Sequence, residues 1–147
     1  MRWSVKTYDE LSKKELYEIL KLRIEVFSVE QNCPYQDLDD KDQGAIHIMV
    51  WDQTILAGYS RVAEAGYIYD EACIGRVITA GGYRRLGLGK ELMNRSIDFL
   101  EKKGAKTLKV MAQTYLLDFY QNLGFEVSSE EFLEDGLPHH YMVRKAS

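Results

Sequence analysis

What is scarce in this sequence already removes several function classes. Its 147 residues include two cysteines, Cys33 and Cys73, too few for a disulfide framework or a cysteine-based metal site, and no metal is expected. No apolar run approaches the length needed to span a bilayer. The start, Met1-Arg2-Trp3-Ser4-Val5-Lys6, lacks the apolar core of a secretory signal. A reduced, cytoplasmic setting with no membrane partner is the simplest expectation. There is no excess of positive charge: 19 Lys and Arg against 23 Asp and Glu leave a net charge of −4 and a pI near 5.4. A nucleic-acid binder would show a basic face, so that partner is disfavoured. Repeats, low-complexity tracts and linkers are missing as well, and one domain over residues 1–147 is expected.

What is present is a globular composition, 46% hydrophobic and 29% charged, with length enough for a real core. The chain is organised around Cys73 to Gly104. Cys73-Ile-Gly-Arg-Val-Ile-Thr79 reads as a strand closed by the Gly81-Gly82 turn signal. From Leu88 the apolar residues take helical spacing, Leu88, Leu92, Met93, Ile97 and Leu100, and Gly104 is placed to cap the end. Between strand and helix lies Arg84-x-x-Gly87-x-Gly89. Glycines at a helix start let unpaired backbone N–H groups approach an anion, and Arg84, Arg85 and Lys90 add charge, so the turn suits a pyrophosphate. A P-loop fails, because Arg84 stands where its first Gly belongs and Glu91 where Ser or Thr belongs. A dinucleotide fingerprint fails at Leu92. An ordinary glycine-bearing strand–helix turn is the plain alternative.

The rest of the chain reads in the same way. Residues 2–8 alternate as a strand. Ser12-Lys-Lys-Glu15 is a capping box opening a helix through Leu16, Ile19, Leu20, Arg23, Ile24 and Phe27. Arg23 lies near the apolar stripe, and a stem that snorkels to water is preferred there over a substrate contact. Residues 29–42, with Pro34 and an Asp cluster, form a loop of about 15 residues, either a solvated surface or an acceptor site. Residues 45–52 and 54–64 form two strands joined at Asp52-Gln53, with His47 a packed strand residue. Lys106 to Ala112 is a strand and Tyr115 to Leu123 a short helix ended by Gly124. Residues 125–129 and 138–144 are weaker strands around a Gly136-Leu137-Pro138 turn. This α/β order predicts a mixed, largely antiparallel sheet of about six or seven strands with helices on both faces.

The Arg84-x-x-Gly87-x-Gly89 turn resembles the Arg/Gln-x-x-Gly-x-Gly/Ala signature of the GNAT superfamily of acyl-CoA N-acyltransferases, and the element order is similar too. A second motif lies about 30 residues on. Gln113-Thr-Tyr-Leu-Leu-Asp-Phe-Tyr120 followed by Leu123-Gly124-Phe125 is similar to the family's Asn-x-x-Ala-x-x-Phe-Tyr…Gly-Phe, with Gln113 for Asn and Leu116 for Ala. Val29 to Asp37 and Glu134 to His139 resemble hallmark segments of the ElaA-type subgroup. The resemblance spans Leu16 to Met142. It departs at Cys73, where some members carry a Glu base.

The resemblance implies acetyl-CoA as co-substrate and acetyl transfer to a small-molecule or peptide primary amine by direct attack in a ternary complex. The central strand would splay from Lys106–Ala112. Val77, Ile78 and Thr79 would then pair with the pantetheine arm as with an added strand. The diphosphate would rest on Arg84, Arg85, Leu86, Gly87, Leu88, Gly89 and Lys90, with Gln113 and Tyr120 completing the cofactor set. A backbone N–H in the splay would steady the developing oxyanion. Tyr120 would be the catalytic acid that serves the thiolate. Glu30, Tyr35, Asp37 and His139 would hold the acceptor, or else the face carrying Arg61 and Arg76 would. Glu30, Asp37, Asp39, Glu71 and His139 all stay open as the base. A CoA-binding regulatory module without turnover is the competing function, and a homodimer stays open beside a monomer.

Overall fold

The computed structural model describes residues 1–146. The alternating stretches become strands: β1 (Arg2–Thr7), β2 (Ile46–Asp52), β3 (Ile55–Ala63), β4 (Ala72–Thr79), β5 (Thr107–Gln113), β6 (Glu126–Val127), β7 (Phe132–Glu134) and β8 (Leu137–Lys145). They form one eight-stranded sheet in the order β1-β2-β3-β4-β5-β8-β6, with β7 paired to β8. Every pairing is antiparallel except β4 with β5. The strand absent from the sequence reading is β7, so the sheet has eight strands rather than six or seven. The β7–β8 turn falls on Asp135-Gly136, both with positive φ, the pairing a two-residue hairpin loop favours. Leu137 and Pro138 already belong to β8, a correction to the expected Gly136-Leu137-Pro138 turn.

Helices cover both faces, because neighbours on a strand point opposite ways. Ile19 of α1 (Lys13–Ile24) packs with Met49, Trp51, Leu56, Tyr59 and Ile78 on one face. On the other, Leu92, Met93, Ile97 and Leu100 of α2 (Leu88–Lys102) join Ile48, Val62, Ile74, Leu108 and Val110. Tyr120 of α3 (Leu117–Gln121) extends that cluster together with Phe125. The capping box is complete: Glu15 N–H donates to Ser12 Oγ (3.0 Å) and Ser12 N–H to the Glu15 carboxylate (2.8 Å). The first helix does not stop at Phe27 but runs into a π-helical turn, Glu25–Glu30. The helix expected over Tyr115 to Leu123 is shorter, a 3₁₀ turn Thr114–Leu116 followed by α3. No helix among the described residues is long and apolar enough to cross a membrane.

Two features of β4 open the sheet. It pairs with β5 only at Ala72–Leu108 and Cys73–Lys109, after which the strands part. Against β3 its register slips: Arg61 faces Gly75 and Tyr59 faces Ile78, so Arg76 and Val77 together oppose Ser60. Arg76 adopts φ 52 in this bulge.

Close packing of α2 on β3 depends on Gly58. A Cβ there would lie 3.0 Å from Leu92 Cδ1 and 3.0 Å from Val50 Cγ1. Gly58→Ala is expected to cost about 1–3 kcal/mol through overpacking, read as a lower Tm. Gly75→Ala, whose Cβ would meet nothing within 4 Å, should leave Tm near wild type.

Candidate active site

The parting of β4 and β5 opens a cleft of about 1060 Å³. One wall is β4 from Cys73 to Thr79, the other Met111 and Gln113 of β5 with Tyr120 behind them. A strap of chain crosses over it. In this strap Gln31 accepts from Gln113 Nε2 (3.3 Å), and the Cys33 thiol donates to the Asp135 carbonyl (3.3 Å) at the β7–β8 turn. These bonds bring the loop after the first helix against the last hairpin.

At the phosphate-like end, Gly87 is the N-cap of α2 at φ 75 and no side chain caps the helix. Arg84 donates to Thr79 O (3.3 Å) and pairs with Glu30. Of the expected cofactor residues, Val77, Ile78, Thr79, Arg84, Gln113 and Tyr120 line the cleft. Arg85, Leu86, Gly87, Leu88, Gly89 and Lys90 continue from Arg84 as the turn and start of α2. The side chains of Ile78 and Leu88 are buried in the core, so only their backbone is left to meet a ligand. The Tyr120 phenol is pushed up to about 12, by burial first and the neighbouring Tyr115 second, and stays protonated at neutral pH.

Glu30, expected to hold the acceptor, instead lines the cleft at the Arg84 end, while Tyr35 and His139 line it at the other. His139 stacks on Phe132 (6.1 Å, 23°), with Nδ1 2.7 Å from the Leu137 carbonyl. Only a protonated Nδ1 can donate there, so whenever the ring is neutral its acceptor is Nε2. The Tyr35 phenol is raised to about 12 by burial and by the charge of Asp37.

Asp37 is the exception among the expected acceptor residues. It is fully buried, with one carboxylate oxygen on Arg23 Nε (2.7 Å) and the other on Arg76 Nε (2.8 Å). Both oxygens are engaged inside the protein, so it supports the loop instead of meeting a ligand. Arg23 corrects its expectation too. It is 0% exposed, no snorkelling stem, and its Nη1 also reaches Asp42 (2.7 Å). Arg61 binds Asp39 through both nitrogens (2.8 Å each) and Asp42 (3.0 Å). Arg61 and Arg76 therefore line the same cleft, not a separate face. Burial opposes the charge of Asp39 and Asp42, but the arginines outweigh it and hold both carboxyls below their ordinary range. His47 is the packed strand residue expected, with its ring nitrogens on Tyr59 Oη (2.6 Å) and Asp42 O (3.0 Å).

The sequence reading missed a cluster at the closed end. Lys109 Nζ lies over the rings of Tyr69 (4.7 Å) and Tyr141 (4.3 Å), and both tyrosines line the cleft. Strand alternation offered a signal, since it puts Tyr141 on the face of His139. Cys73, also at this end, has its thiol pushed up to about 11 by burial, and it keeps its proton at neutral pH.

Residues 8–146 match the family model described as an acetyltransferase (GNAT) domain. The chain belongs to the GNAT family of acetyltransferases. It is 36% identical to the protein ElaA of Escherichia coli over 148 residues, covering 99% of this chain and 97% of the relative. The ElaA crystal structure superposes with a TM-score of 0.92 over 99% of this chain and 100% of that one. An acyl-CoA N-acyltransferase from Pseudomonas aeruginosa superposes at 0.93 with 37% identity, covering 97% of this chain and 98% of that one. An aminoglycoside 6'-N-acetyltransferase complexed with coenzyme A shares the fold at 13% identity, with a TM-score of 0.72 over 97% of this chain and 96% of that one. This GNAT chain is thus an acyltransferase, of the expected mixed fold.

The buried groups of this GNAT protein set its acid stability. Burial drives the pKa of His47 below its ordinary 6.5. Its contribution is therefore full above pH 6.5 and is lost as pH falls through the lower folded value. Asp39 and Asp42, lowered from 3.8, add a second loss below that value. Tm measured from pH 8 to pH 3 should be flat above about pH 7 and then fall in two stages. His47→Gln should remove the upper stage and keep the lower.

Proposed function

We propose that the cleft binds acetyl-CoA and transfers its acetyl group to a primary amine by direct attack while both are bound, in a cytoplasmic setting that suits the free thiols of Cys33 and Cys73. The splay carries the proposal. Beyond Cys73, β4 has no ladder with β5, and an amide-bearing arm pairs with such an edge as an added strand. At the strand's end stands the uncapped start of α2, where unpaired N–H groups suit a diphosphate. A Cβ at Gly87 would meet no protein atom within 4 Å, so the space over the turn is open to phosphate oxygens. Arg84, Arg85 and Lys90 add charge. The CoA-bearing fold neighbour supports the same ligand.

Acetyl-CoA supplies an activated acyl group and a thiol to be released. Along Val77 to Thr79 successive N–H groups alternate between β3 and the splay, and one on the splay side polarises the acyl oxygen. Tyr120, protonated at neutral pH, donates to the sulfur as it leaves. A lysine-like amine has a pKa near about 10.4 and must shed a proton before it attacks. His139 Nε2 is the acceptor best placed to take it. Asp37 is buried between two arginines, and Asp39 is held charged by Arg61. Glu71 faces Lys109 (3.8 Å) outside the cleft lining, and Cys73 keeps its proton. Tyr120 and His139 on one cleft favour turnover over a CoA-binding module without activity.

Acetyl-CoA should raise Tm, by about 2.7 kcal/mol of stabilisation at a hundred times its Kd, and Gly87→Val should show no such rise. Tyr120→Phe and His139→Gln should each lower kcat roughly a hundredfold with acetyl-CoA binding intact, followed as thiol release against a panel of amines. No thermal shift at millimolar acetyl-CoA overturns the proposal.

Glu30 occupies the arginine that the diphosphate needs. Both side chains are partly exposed, 33% for Glu30 and 46% for Arg84, and such a pair contributes at most about 1 kcal/mol. A diphosphate displaces it readily. Glu30→Gln should therefore tighten acetyl-CoA binding a few-fold, read by calorimetry.

A further inference from the structure

Arg76 is a non-glycine residue held at φ 52 in the middle of the central strand. That region of backbone space is sparsely populated by residues with a Cβ and is strained unless the surroundings enforce it. The β3–β4 ladder resumes on both sides of the bulge, at Gly75 and at Ile78, and fixes its ends. Between them the Arg76 side chain adds a hold of its own. Nε donates to Asp37 Oδ1 (2.8 Å) and Nη2 to the Asp37 carbonyl (3.0 Å), a two-point grip on one residue. The other Asp37 oxygen is anchored to Arg23 on α1 (2.7 Å). The grip thus runs from α1 through the loop to the bulge. The two ends it joins are functional: Val77 to Thr79 follow the bulge along the cleft wall, and Gln31, Cys33 and Tyr35 precede Asp37 on the strap. Bulges next to active sites re-aim the strand that follows them.

We infer, on the acetyl-CoA reading of the cleft, that Arg76 is a positioning residue for acyl transfer: its grip on Asp37 holds the left-handed bulge, which aims the Val77–Thr79 backbone at the acyl group and seats the acceptor strap against that same backbone. The polar contacts of Arg76 go to Asp37 and Asp39, and it acts through the loop and the bulge. It ties acceptor-loop placement to acyl-group placement, so an error of an ångström at the loop reaches the chemistry.

Glycine separates the two roles, since it adopts positive φ without strain but grips nothing. Acetyl-CoA affinity is measured by calorimetry for wild type, Arg76→Ala and Arg76→Gly, and kcat and KM with an amine that the wild type consumes. Asp37 keeps its bond to Arg23 in both variants, so both should fold. Should Arg76→Ala fail to fold, Arg76→Lys, which keeps the charge and loses the two-point grip, takes its place. Arg76→Ala should weaken acetyl-CoA roughly tenfold and cut kcat/KM roughly a hundredfold. Arg76→Gly should recover acetyl-CoA affinity and kcat while the amine KM stays raised. Equal acetyl-CoA affinity in the two variants, whether both match wild type or both fall, overturns the positioning role. A wild type that binds no acetyl-CoA at all overturns the cofactor reading, and this inference with it.

Discussion

Two residue pairs, Ala72 with Leu108 and Cys73 with Lys109, make up the ladder between β4 and β5, and the cleft exists because pairing stops there. A strand that leaves its partner exposes backbone donors and acceptors that must find other company. The structure keeps the gap open without losing the sheet. On one face α2 and α3 bridge it, since Ile74 of β4 and Val110 of β5 share a core with Leu92, Met93 and Tyr120. On the other, the strap lies over it and is pinned to both sides by Arg84–Glu30 and Gln113–Gln31. The result is a groove with an uncommitted strand edge inside a rigid frame.

Beneath the strap, three arginines and three aspartates interlock: Arg23, Arg61 and Arg76 with Asp37, Asp39 and Asp42. Desolvating such charges offsets much of their attraction, so the set is weak evidence for stability. Removing one deeply buried partner, however, strands its opposite, at a cost of about 3–5 kcal/mol. What the network supplies is geometry. A loop rich in aspartate would be repelled from itself and solvated by water. Opposed to arginines from α1, β3 and β4, it takes one path, and that path places Tyr35 and Cys33 on the cleft.

The two ends of the cleft are chemically different. The α2 end is backbone, glycine and exposed positive charge, which suits a hydrated anion. The far end is walled by Tyr35, Tyr69, Tyr141 and His139, and its arginines are already neutralised. Cations lie against these rings even within the protein itself, as Lys109 shows. This end therefore offers aromatic side chains and no unpaired guanidinium among the arginines Arg61 and Arg76.

The elements and the glycine turn before α2 were legible in the sequence because their causes are local. The capping box at Ser12 and Glu15, the helical stripe from Leu88 to Leu100, and the glycine at position 87 each depend on neighbours within a few residues. The short Phe132–Glu134 strand was not legible, since three residues carry no period and depend on β8 for their bonds. Arg23 shows the same limit in a side chain. Its helical position was right and its environment wrong, because Asp37 and Asp42 lie 14 and 19 residues away and nothing in the spacing marks them as partners. Arg76 and Asp37, 39 residues apart, were each visible as a charge in a strand or a loop. Periodicity fixes which face a residue takes, but a charge buried or solvated is decided by what the fold brings opposite it. The sequence by itself thus determined the strands, the helices and the phosphate-like turn, and only the tertiary structure decided which carboxylates were consumed as scaffold and which remained on the cleft.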